Sequence, residues 1–366
     1  MTHMFPIKDI AHQAGLSMAT VDRVLNARAG VSRQTGLRVR AAIAELERQE
    51  ARALLPGRKM TIDVLMEAPR RFTTEARAAF EAEMAAFVPL VFRCRFHLME
   101  TEGPAALARA IDRIRLRGTD GMLVKVPDTP VIHAAVARAA AAGITVVTFV
   151  TDLPSAPRAA YVGVDNRAAG ETAAYLVGRA LGAQAATVLV TISSSRFRGE
   201  GDREKGFRTV MRACYPSIRV TSVCEGRRQD AETGRLVHDA LAADPTICAI
   251  YSIGGGNRAT LDACREMGRA IRIFVAHDLD ADNRALLAGH AIDFVLYHNL
   301  RADARAAFDV FRHGAFCRGE SVARLSSVEI VTPYNLPVSP PDIGPPDIGT
   351  ERQIRWNAPA WGAPSG

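Results

Sequence analysis

The stretch that decides the fold is Ile7-Lys8-Asp9-Ile10-Ala11-His12-Gln13-Ala14-Gly15-Leu16-Ser17-Met18-Ala19-Thr20-Val21-Asp22-Arg23-Val24-Leu25-Asn26. Apolar residues between Ile7 and Ala14 recur at helical spacing. Gly15 ends this first helix, and Ser17 is a favourable N-cap for a second. Two short helices joined by a tight turn predict a helix-turn-helix unit, whose second helix can enter a DNA major groove about 12 Å wide.

The start of the second helix is expected to face base edges. Met18 and Ala19 would touch apolar or methyl groups, and Arg23 could contact guanine through two hydrogen bonds. We expect phosphate contacts from hydroxyl and amide side chains, namely Ser17, Thr20, Asn26, Ser32 and Thr35. A generic three-helix packing unit would show the same apolar stripe, but it would not require these polar residues at these spacings.

Charge is concentrated at the same end of the chain. Residues 1–59 hold ten Lys/Arg and five Asp/Glu, so they supply +5 of the net charge of +7. A basic module on a nearly neutral body indicates a polyanionic partner, here double-stranded DNA. Arginine is frequent along the whole chain, however, and charge alone is therefore a weak indication.

The segment resembles the headpiece of the lactose-repressor (LacI/GalR) family, whose hallmark is Asp-Ile-Ala-x-x-Ala-Gly-x-Ser-x-x-Thr-Val-x-Arg-Val-Leu-Asn. The resemblance implies an α/β protein with an N-terminal helix-turn-helix headpiece of three helices over residues 1–50. A two-lobed body of doubly wound parallel sheets, like type I periplasmic binding proteins, would follow. Asp22 departs from the usual serine; its carboxylate would accept from cytosine N4 or pair with Arg23.

Residues 51–59 form the expected hinge helix or linker, closed by Pro56-Gly57. In the resembled family this hinge wedges a leucine into the minor groove. Leu55 matches that leucine by its position before Pro56, and Leu54 is the alternative because the linker is about two residues shorter than usual. A wedge of this kind unstacks a base step, and the extra contacts that bending permits repay the cost.

From residue 60, apolar strand-like runs alternate with helical segments, which indicates parallel sheets. The number of strands exceeds one sheet, so we expect two lobes: about 60–162 with 298–325, and about 163–297 with 326–337. Ligands bind such folds in the cleft between lobes. The tail, 338–366, contains Pro-Pro-Asp-Ile-Gly twice and is expected to be flexible. The predicted strands are 61–66, 92–99, 121–126, 145–150, 186–192, 219–224, 248–253, 271–277 and 294–298.

The resemblance implies a set of residues around a small ligand. Arg203, four residues before Phe207, would donate hydrogen bonds to hydroxyls or a carboxylate. A surface arginine on a helix would give the same sequence pattern. Asp278 would accept from ligand hydroxyls, or cap the next helix. His298 stands where many relatives have glutamine; it would add pH sensitivity, or simply pack between lobes.

Further candidates lie at the predicted lobe crossover and after other predicted strands. Asp165 and Asn166 match the lobe crossover, and Lys125 with Asp128 would line the other lobe. Arg70, Arg71 and Phe72 follow the first strand and could cover the ligand. Asn257 closes the Gly254-Gly255-Gly256 loop, which could favour an anionic group but is more typical of a wall close to a ligand. The effector is thus expected to be a sugar, polyol, sugar acid or phosphorylated sugar.

The whole sequence predicts a homodimeric, sequence-specific repressor that an effector releases from a palindromic operator, with corepression as the alternative. No signal peptide, membrane span or paired cysteine motif is evident, so we expect a cytoplasmic protein without cofactor or metal. A transport-type binding protein would lack the headpiece. An enzyme would need a nucleophile–base pair or a metal-spaced cluster, and neither pattern is found.

Overall fold

The computed structural model describes residues 5–26, 28, 30–53, 59–87, 90–224, 230–313 and 322–337. The predicted wedge residue Leu55, its alternative Leu54 and the tail 338–366 lie outside these ranges. The wedge and the flexible tail therefore stay predictions.

Three helices form the headpiece: α1 (Ile7–Ala14), α2 (Met18–Leu25) and α3 (Arg33–Ala53). Gly15 turns the chain between α1 and α2 at φ +61°, a left-handed conformation that glycine adopts without a steric penalty. The Ser17 hydroxyl caps α2 by accepting from the Thr20 amide at 3.1 Å. Arg38 on α3 donates to the Ala14 carbonyl at 2.8 Å and so fixes the turn from the other side.

The third helix enters the segment predicted as the hinge. It continues through Ala53, three residues past the expected end of the headpiece at residue 50. The headpiece core is small and apolar, and it draws on all three helices: Ile10, Ala11, Val21, Val39 and Leu46. Helix α1 also meets the body, because Gln13 donates to Glu81 at 3.0 Å and accepts from Arg77 through its carbonyl.

The body contains two six-stranded sheets. Lobe 1 has strand order β11-β5-β4-β3-β1-β2, all parallel. Its cores lie on both faces of the sheet, under four helices. Its elements are β1 (Lys59–Glu67), α4 (Arg70–Glu83), β2 (Val91–Met99), α5 (Pro104–Arg117), β3 (Gly121–Lys125), α6 (Pro130–Ala141), β4 (Thr145–Phe149), β5 (Ala160–Val164), α12 (Leu300–His313) and β11 (Val322–Ser326).

Lobe 2 has strand order β12-β10-β9-β8-β6-β7. It is parallel except at its edge, where β12 runs antiparallel to β10. Its elements are α7 (Asn166–Leu181), β6 (Ala186–Thr191), α8 (Arg198–Cys214), β7 (Ile218–Val223), α9 (Asp230–Ala243), β8 (Ile247–Ser252), α10 (Asn257–Glu266), β9 (Ile273–His277), α11 (Ala281–Ala288), β10 (Phe294–His298) and β12 (Val328–Val331).

The chain crosses between the lobes three times, after β5, after β10 and between β11 and β12. The carboxyl ends of β1, β3, β6, β8 and β9 consequently face a common space between the lobes. This is where a ligand is expected in a two-lobed α/β protein. The nine predicted strands are all present with small shifts, whereas β5, β11 and β12 were not predicted.

Candidate functional site

The start of α2 presents a polar and apolar surface to solvent. Ser17, Ala19, Arg23 and Asn26 are exposed, and Met18 is 59% exposed although its side chain is large and apolar. An exposed apolar side chain at the start of a protruding helix is suited to contact a thymine methyl group. Thr20 is half-buried.

Several of the side chains expected at phosphates also stabilise the headpiece itself. Ser17 and Thr20 share a hydrogen bond of 2.8 Å, and the Ser32 hydroxyl accepts from the Thr35 amide at 3.1 Å. Asp22 contacts Arg28 at 3.1 Å and accepts from the Asn26 amide at 2.8 Å. The sequence left two partners open for Asp22, cytosine N4 or Arg23. Among the described residues, Asp22 pairs with Arg28 and not with Arg23.

The two lobes enclose a cavity of about 640 Å³, measured with its open mouth. Both lobes contribute charged side chains to its lining. Three are cations and three are carboxylates: Arg71, Lys125, Arg203, Glu200, Asp278 and Asp280. Polar groups that converge inside an interlobe cavity are typical of a small-molecule site.

Arg203 lies in this cavity on the second turn of α8 and is 4% exposed. Its Nε donates to Oδ1 of Asn166 at 2.8 Å, and the Asn166 amide in turn donates to the Val150 carbonyl at 3.0 Å. Within the part of the chain that the structure describes, no hydrogen bond uses the two terminal nitrogens of Arg203. The guanidinium is therefore held in place while donors remain for a ligand.

Asp278 follows β9 and has a left-handed backbone, with φ +65°. Aspartate tolerates this conformation better than most residues, and its neighbours hold it there: Asn283 donates to the carbonyls of Asp278 at 2.7 Å and His277 at 2.9 Å. Burial would raise the pKa of Asp278, but the hydrogen bond from His298 and nearby positive charge hold it well below its usual range. The group is an ionised acceptor.

An ion pair joins the lobes across the cavity. Arg71 of α4 lies 3.0 Å from Asp280, which also caps α11 by accepting from the Asn283 amide at 2.8 Å. Gly255, at φ +88°, leaves room for this arginine, because a Cβ there would come within 2.3 Å of its terminal nitrogen. Burial raises the pKa of Asp280 in spite of Arg71.

The opposite wall is aromatic and carries Lys125. The Lys125 ammonium donates to the Glu67 carbonyl at 3.3 Å and lies 5.3 Å from the Phe72 ring centroid and 4.7 Å from that of Phe197. Lys125 is thus bound by cation–π contacts as well as by a backbone oxygen. Phe72 and Phe197 offer apolar surface to a ligand whose other face meets charged groups.

Five of the predicted ligand residues do not line the cavity, namely Arg70, Asp128, Asp165, Asn257 and His298. Asp165 is exposed and caps α7 by accepting from the Ala168 amide at 3.0 Å. Asn257 is buried behind the wall and donates to Asn283 at 2.6 Å. His298 is buried behind Asp278 and touches it at 2.9 Å. Asn257 and His298 support the cavity from outside, because their side chains bind residues that line it.

Of the predicted residues, those that line the cavity are Arg71, Phe72, Lys125, Asn166, Arg203 and Asp278. The sequence analysis did not identify Thr151, Phe197, Glu200, Asp280 and Asn283, all of which line it. Asp280 and Asn283 could have been found from the chain itself, since they follow Asp278 at the spacing of a helix cap. Glu200, which accepts from the Ser193 amide and hydroxyl at 2.8 and 2.6 Å, gave no comparable signal.

Among the described residues, no group of three His, Cys, Asp or Glu side chains could hold a metal ion. No helix in the same residues combines the length and apolarity needed to cross a membrane.

Solved structures share the architecture of the body. A glucose-galactose binding protein, GanP, from Geobacillus stearothermophilus has a TM-score of 0.68 at 16% identity, covering 76% of this chain and 99% of its own. A solute-binding protein from Burkholderia graminis in complex with D-arabinose has a TM-score of 0.69 at 20% identity, and the match covers 76% of this chain and 97% of that one. A solute-binding protein from Agrobacterium vitis with bound D-fucose has a TM-score of 0.66 at 19% identity, and the match covers 75% of this chain and 96% of that one. At these identities the likeness establishes the fold.

Family models divide the chain in the same way. Residues 6–47 match the bacterial regulatory proteins of the lacI family, and residues 70–313 match a periplasmic binding protein domain. No curated protein sequence matches the chain significantly. A helix-turn-helix headpiece on such a body defines a class of DNA-binding regulators. The chain belongs to the lacI family of bacterial regulatory proteins, as its headpiece motif predicted.

Proposed function

We propose that this protein is a transcriptional repressor that binds a palindromic operator as a homodimer and leaves it when a sugar or polyol enters the interlobe cavity. The observation that carries the proposal is the cavity in which Arg203 and Asp278 lie, on a chain whose α2 presents Met18 and Arg23 to solvent. A symmetric dimer would place two such helices about 34–36 Å apart, one turn of DNA.

The charge balance of the cavity favours an uncharged effector. Its three cations are matched by three carboxylates. Arg71 is already paired with Asp280, and Lys125 is bound to the Glu67 carbonyl and two rings. A sugar acid or phosphate would add charge that no surplus cation offsets, at a cost in a partly desolvated site. A neutral polyhydroxylated ligand can donate to Asp278, accept from Arg203 and stack on Phe72 or Phe197. The binding proteins of similar fold hold D-arabinose and D-fucose.

The response to the effector would act through the lobes. Lobe 1 carries the headpiece contact between Gln13 and Glu81, and lobe 2 carries Asp278 and Asp280. An effector that binds one arrangement of the lobes more tightly shifts the protein toward it and changes how two headpieces are presented to DNA. Ser17, Met18, Ala19, Thr20, Arg23, Asn26, Ser32 and Thr35 would contact the operator, and Leu55 would wedge into its minor groove.

The proposal is tested with purified full-length protein and a pool of genomic DNA fragments at low salt. Fragments retained by the protein are sequenced and then challenged with D-arabinose, D-fucose, D-galactose, D-tagatose and the matching polyols, and separately with the corresponding sugar acids and sugar phosphates. We expect an enriched palindrome and its release by at least one uncharged compound. Equal retention of random DNA would overturn the DNA-binding proposal. Release by sugar acids or sugar phosphates alone would overturn the neutral effector.

Thermal unfolding provides an independent readout of the effector. A ligand present at a hundredfold its dissociation constant should stabilise the protein by about 2.7 kcal/mol. A sugar that stabilises the protein but leaves the DNA complex intact would indicate binding without regulation.

A further inference from the structure

A second cavity adjoins the effector cavity. Its volume is about 1180 Å³ with its open mouth, and Phe72, Asp278 and Asp280 line both cavities. Helix α4 forms an apolar wall with Ala78, Ala79 and Ala82, and lobe 2 closes the opposite side.

The described part of the chain ends at the mouth of this cavity. Pro337 is one of its lining residues, and the Arg284 guanidinium donates to the Pro337 carbonyl. Residues 338–366 follow directly. Ile343 is six residues beyond Pro337, so about 20 Å of extended chain brings it anywhere within the cavity.

The chemistry of the next twelve residues matches the lining. Residues 340–349 read Pro-Pro-Asp-Ile-Gly twice, and Asp342 and Asp347 are the charged residues of the stretch 338–349. Proline-rich segments dock in aromatic-lined grooves at a low entropic cost, because their extended helix is preformed. Phe72 and Tyr297 supply aromatic surface here.

Charge sets the direction in which such a segment can lie. Arg284 and Arg301 line the cavity and suit the two aspartates, whereas Glu75 and Glu329 would repel them. Arg301 is itself held in place by Glu83, at 2.8 Å. We therefore expect the aspartates to lie near Arg284 or Arg301 and away from Glu75 and Glu329, with the isoleucine against the alanines of α4.

We propose that residues 338–349 of the same chain dock in this cavity, with Ile343 against Ala78, Ala79 and Ala82. Tethering at Pro337 raises the local concentration of the segment to the millimolar range, so weak contacts suffice. A segment bound there touches α4 of lobe 1 and α11 and β12 of lobe 2, and it lies against three residues of the effector cavity.

The chain is suited to a fluorescence test because its two tryptophans, Trp356 and Trp361, both lie beyond the docking segment. The full-length variant Ile343→Trp, Trp356→Phe, Trp361→Phe carries one reporter at the predicted contact. We expect blue-shifted emission and weaker acrylamide quenching than in a synthetic peptide of residues 338–349 with the same Ile343→Trp change. Emission and quenching equal to those of the peptide would overturn the proposal.

A matched pair of variants tests whether this cavity is what shields the tryptophan reporter from solvent. Ala82 and Ala85 are both exposed near the end of α4, but Ala82 lines the cavity and Ala85 does not. Ala82→Glu in the reporter background should fill the cavity, repel Asp342 and Asp347, and shift the emission toward that of the peptide. Ala85→Glu should leave it unchanged. Equal emission in the two variants, with native circular dichroism, would overturn docking at this cavity. The test needs neither DNA nor sugar and is independent of the proposed function.

Discussion

The imidazole of His298 lies directly behind the Asp278 carboxylate, with Nε2 2.9 Å from Oδ1. His298 is 2% exposed and its ring stacks on Phe72 at a centroid distance of 6.2 Å. A cation in this position supports the ionised form of Asp278 while leaving its other oxygen to the cavity. His298 is thus a positioning residue for Asp278.

A second carboxylate faces the same imidazole from lobe 1. Nδ1 of His298 lies 3.4 Å from Oδ2 of Asp303 on α12, and neither atom has a hydrogen bond among the described residues. Burial would lower the pKa of His298, but Asp278 and Asp303 raise it to about 9. The imidazole is therefore charged at neutral pH. The pH sensitivity that the sequence predicted for this histidine is expected only above neutral pH.

Replacing His298 should change the pH dependence of stability. A histidine whose pKa is raised by folding stabilises the protein fully below about pH 6.5, and this stabilisation is lost as pH rises toward 9. His298→Gln keeps a donor for Asp278 but cannot titrate. Urea unfolding at pH 6, 8 and 9.5 should show a gap between the wild type and His298→Gln that narrows with rising pH. A gap independent of pH would show that His298 is not charged in the folded protein.

Truncating Arg203 should weaken effector binding with little effect on the headpiece. Hydrogen bonds to a charged group contribute about 1.5–3 kcal/mol each, so Arg203→Ala should weaken effector binding about 10- to 100-fold. Calorimetric titration with the sugar that releases the operator measures this. Arg212→Ala, on the exposed side of the same helix, is the control and should bind normally. Equal affinity of the two variants would remove Arg203 from the site.

The close packing of α7 and α8 should also control the position of Arg203. A Cβ on Gly170 would lie 1.9 Å from the Arg203 carbonyl oxygen, a backbone atom, whereas a Cβ on Gly201 meets nothing within 4 Å. Gly170→Ala should therefore destabilise the protein by about 1–3 kcal/mol and weaken effector binding by displacing α8. Gly201→Ala, on α8 itself, should stabilise the protein by about 0.5–1 kcal/mol. Thermal unfolding and the sugar titration check both variants; similar behaviour would contradict this account.

The sequence identifies what repeats along the chain and misses what depends on contacts between distant segments. Buried strands such as β3 and β9 are continuous apolar runs, so the pattern predicts them, whereas β5 is equally buried and was missed. The edge strand β11, Val-Ala-Arg-Leu-Ser, is exposed along nearly its whole length and gives no such signal. The same limit applies to the site: Arg203 and Asp278 are recognisable from local motifs, but the Arg71–Asp280 pair forms only when two lobes meet.

Depth within the fold is the second limit. His298 and Asn257 were expected at the ligand because they end a strand and begin a helix near it. In the structure both are buried, at 2% and 5% exposure, and bind the residues that line the cavity. A strand end fixes the edge of the sheet at which a side chain lies. Whether the side chain faces the cavity or its supporting layer depends on neighbours that one sequence does not reveal.

Met18 should specify bases rather than anchor phosphates. Its 59% exposed side chain begins α2, and truncation to alanine removes apolar contact with a base edge without removing charge. Met18→Ala should weaken binding to the selected operator by about 1–3 kcal/mol and relax the base preference at one base pair per half-site. The salt dependence of binding should be unchanged. Leu37 is also apolar and 52% exposed, but it lies on α3, so Leu37→Ala should retain the full preference. Binding to a library of single-base operator variants at two salt concentrations measures both effects. A changed salt slope with intact base preference would place Met18 at the backbone and remove α2 as the reading helix.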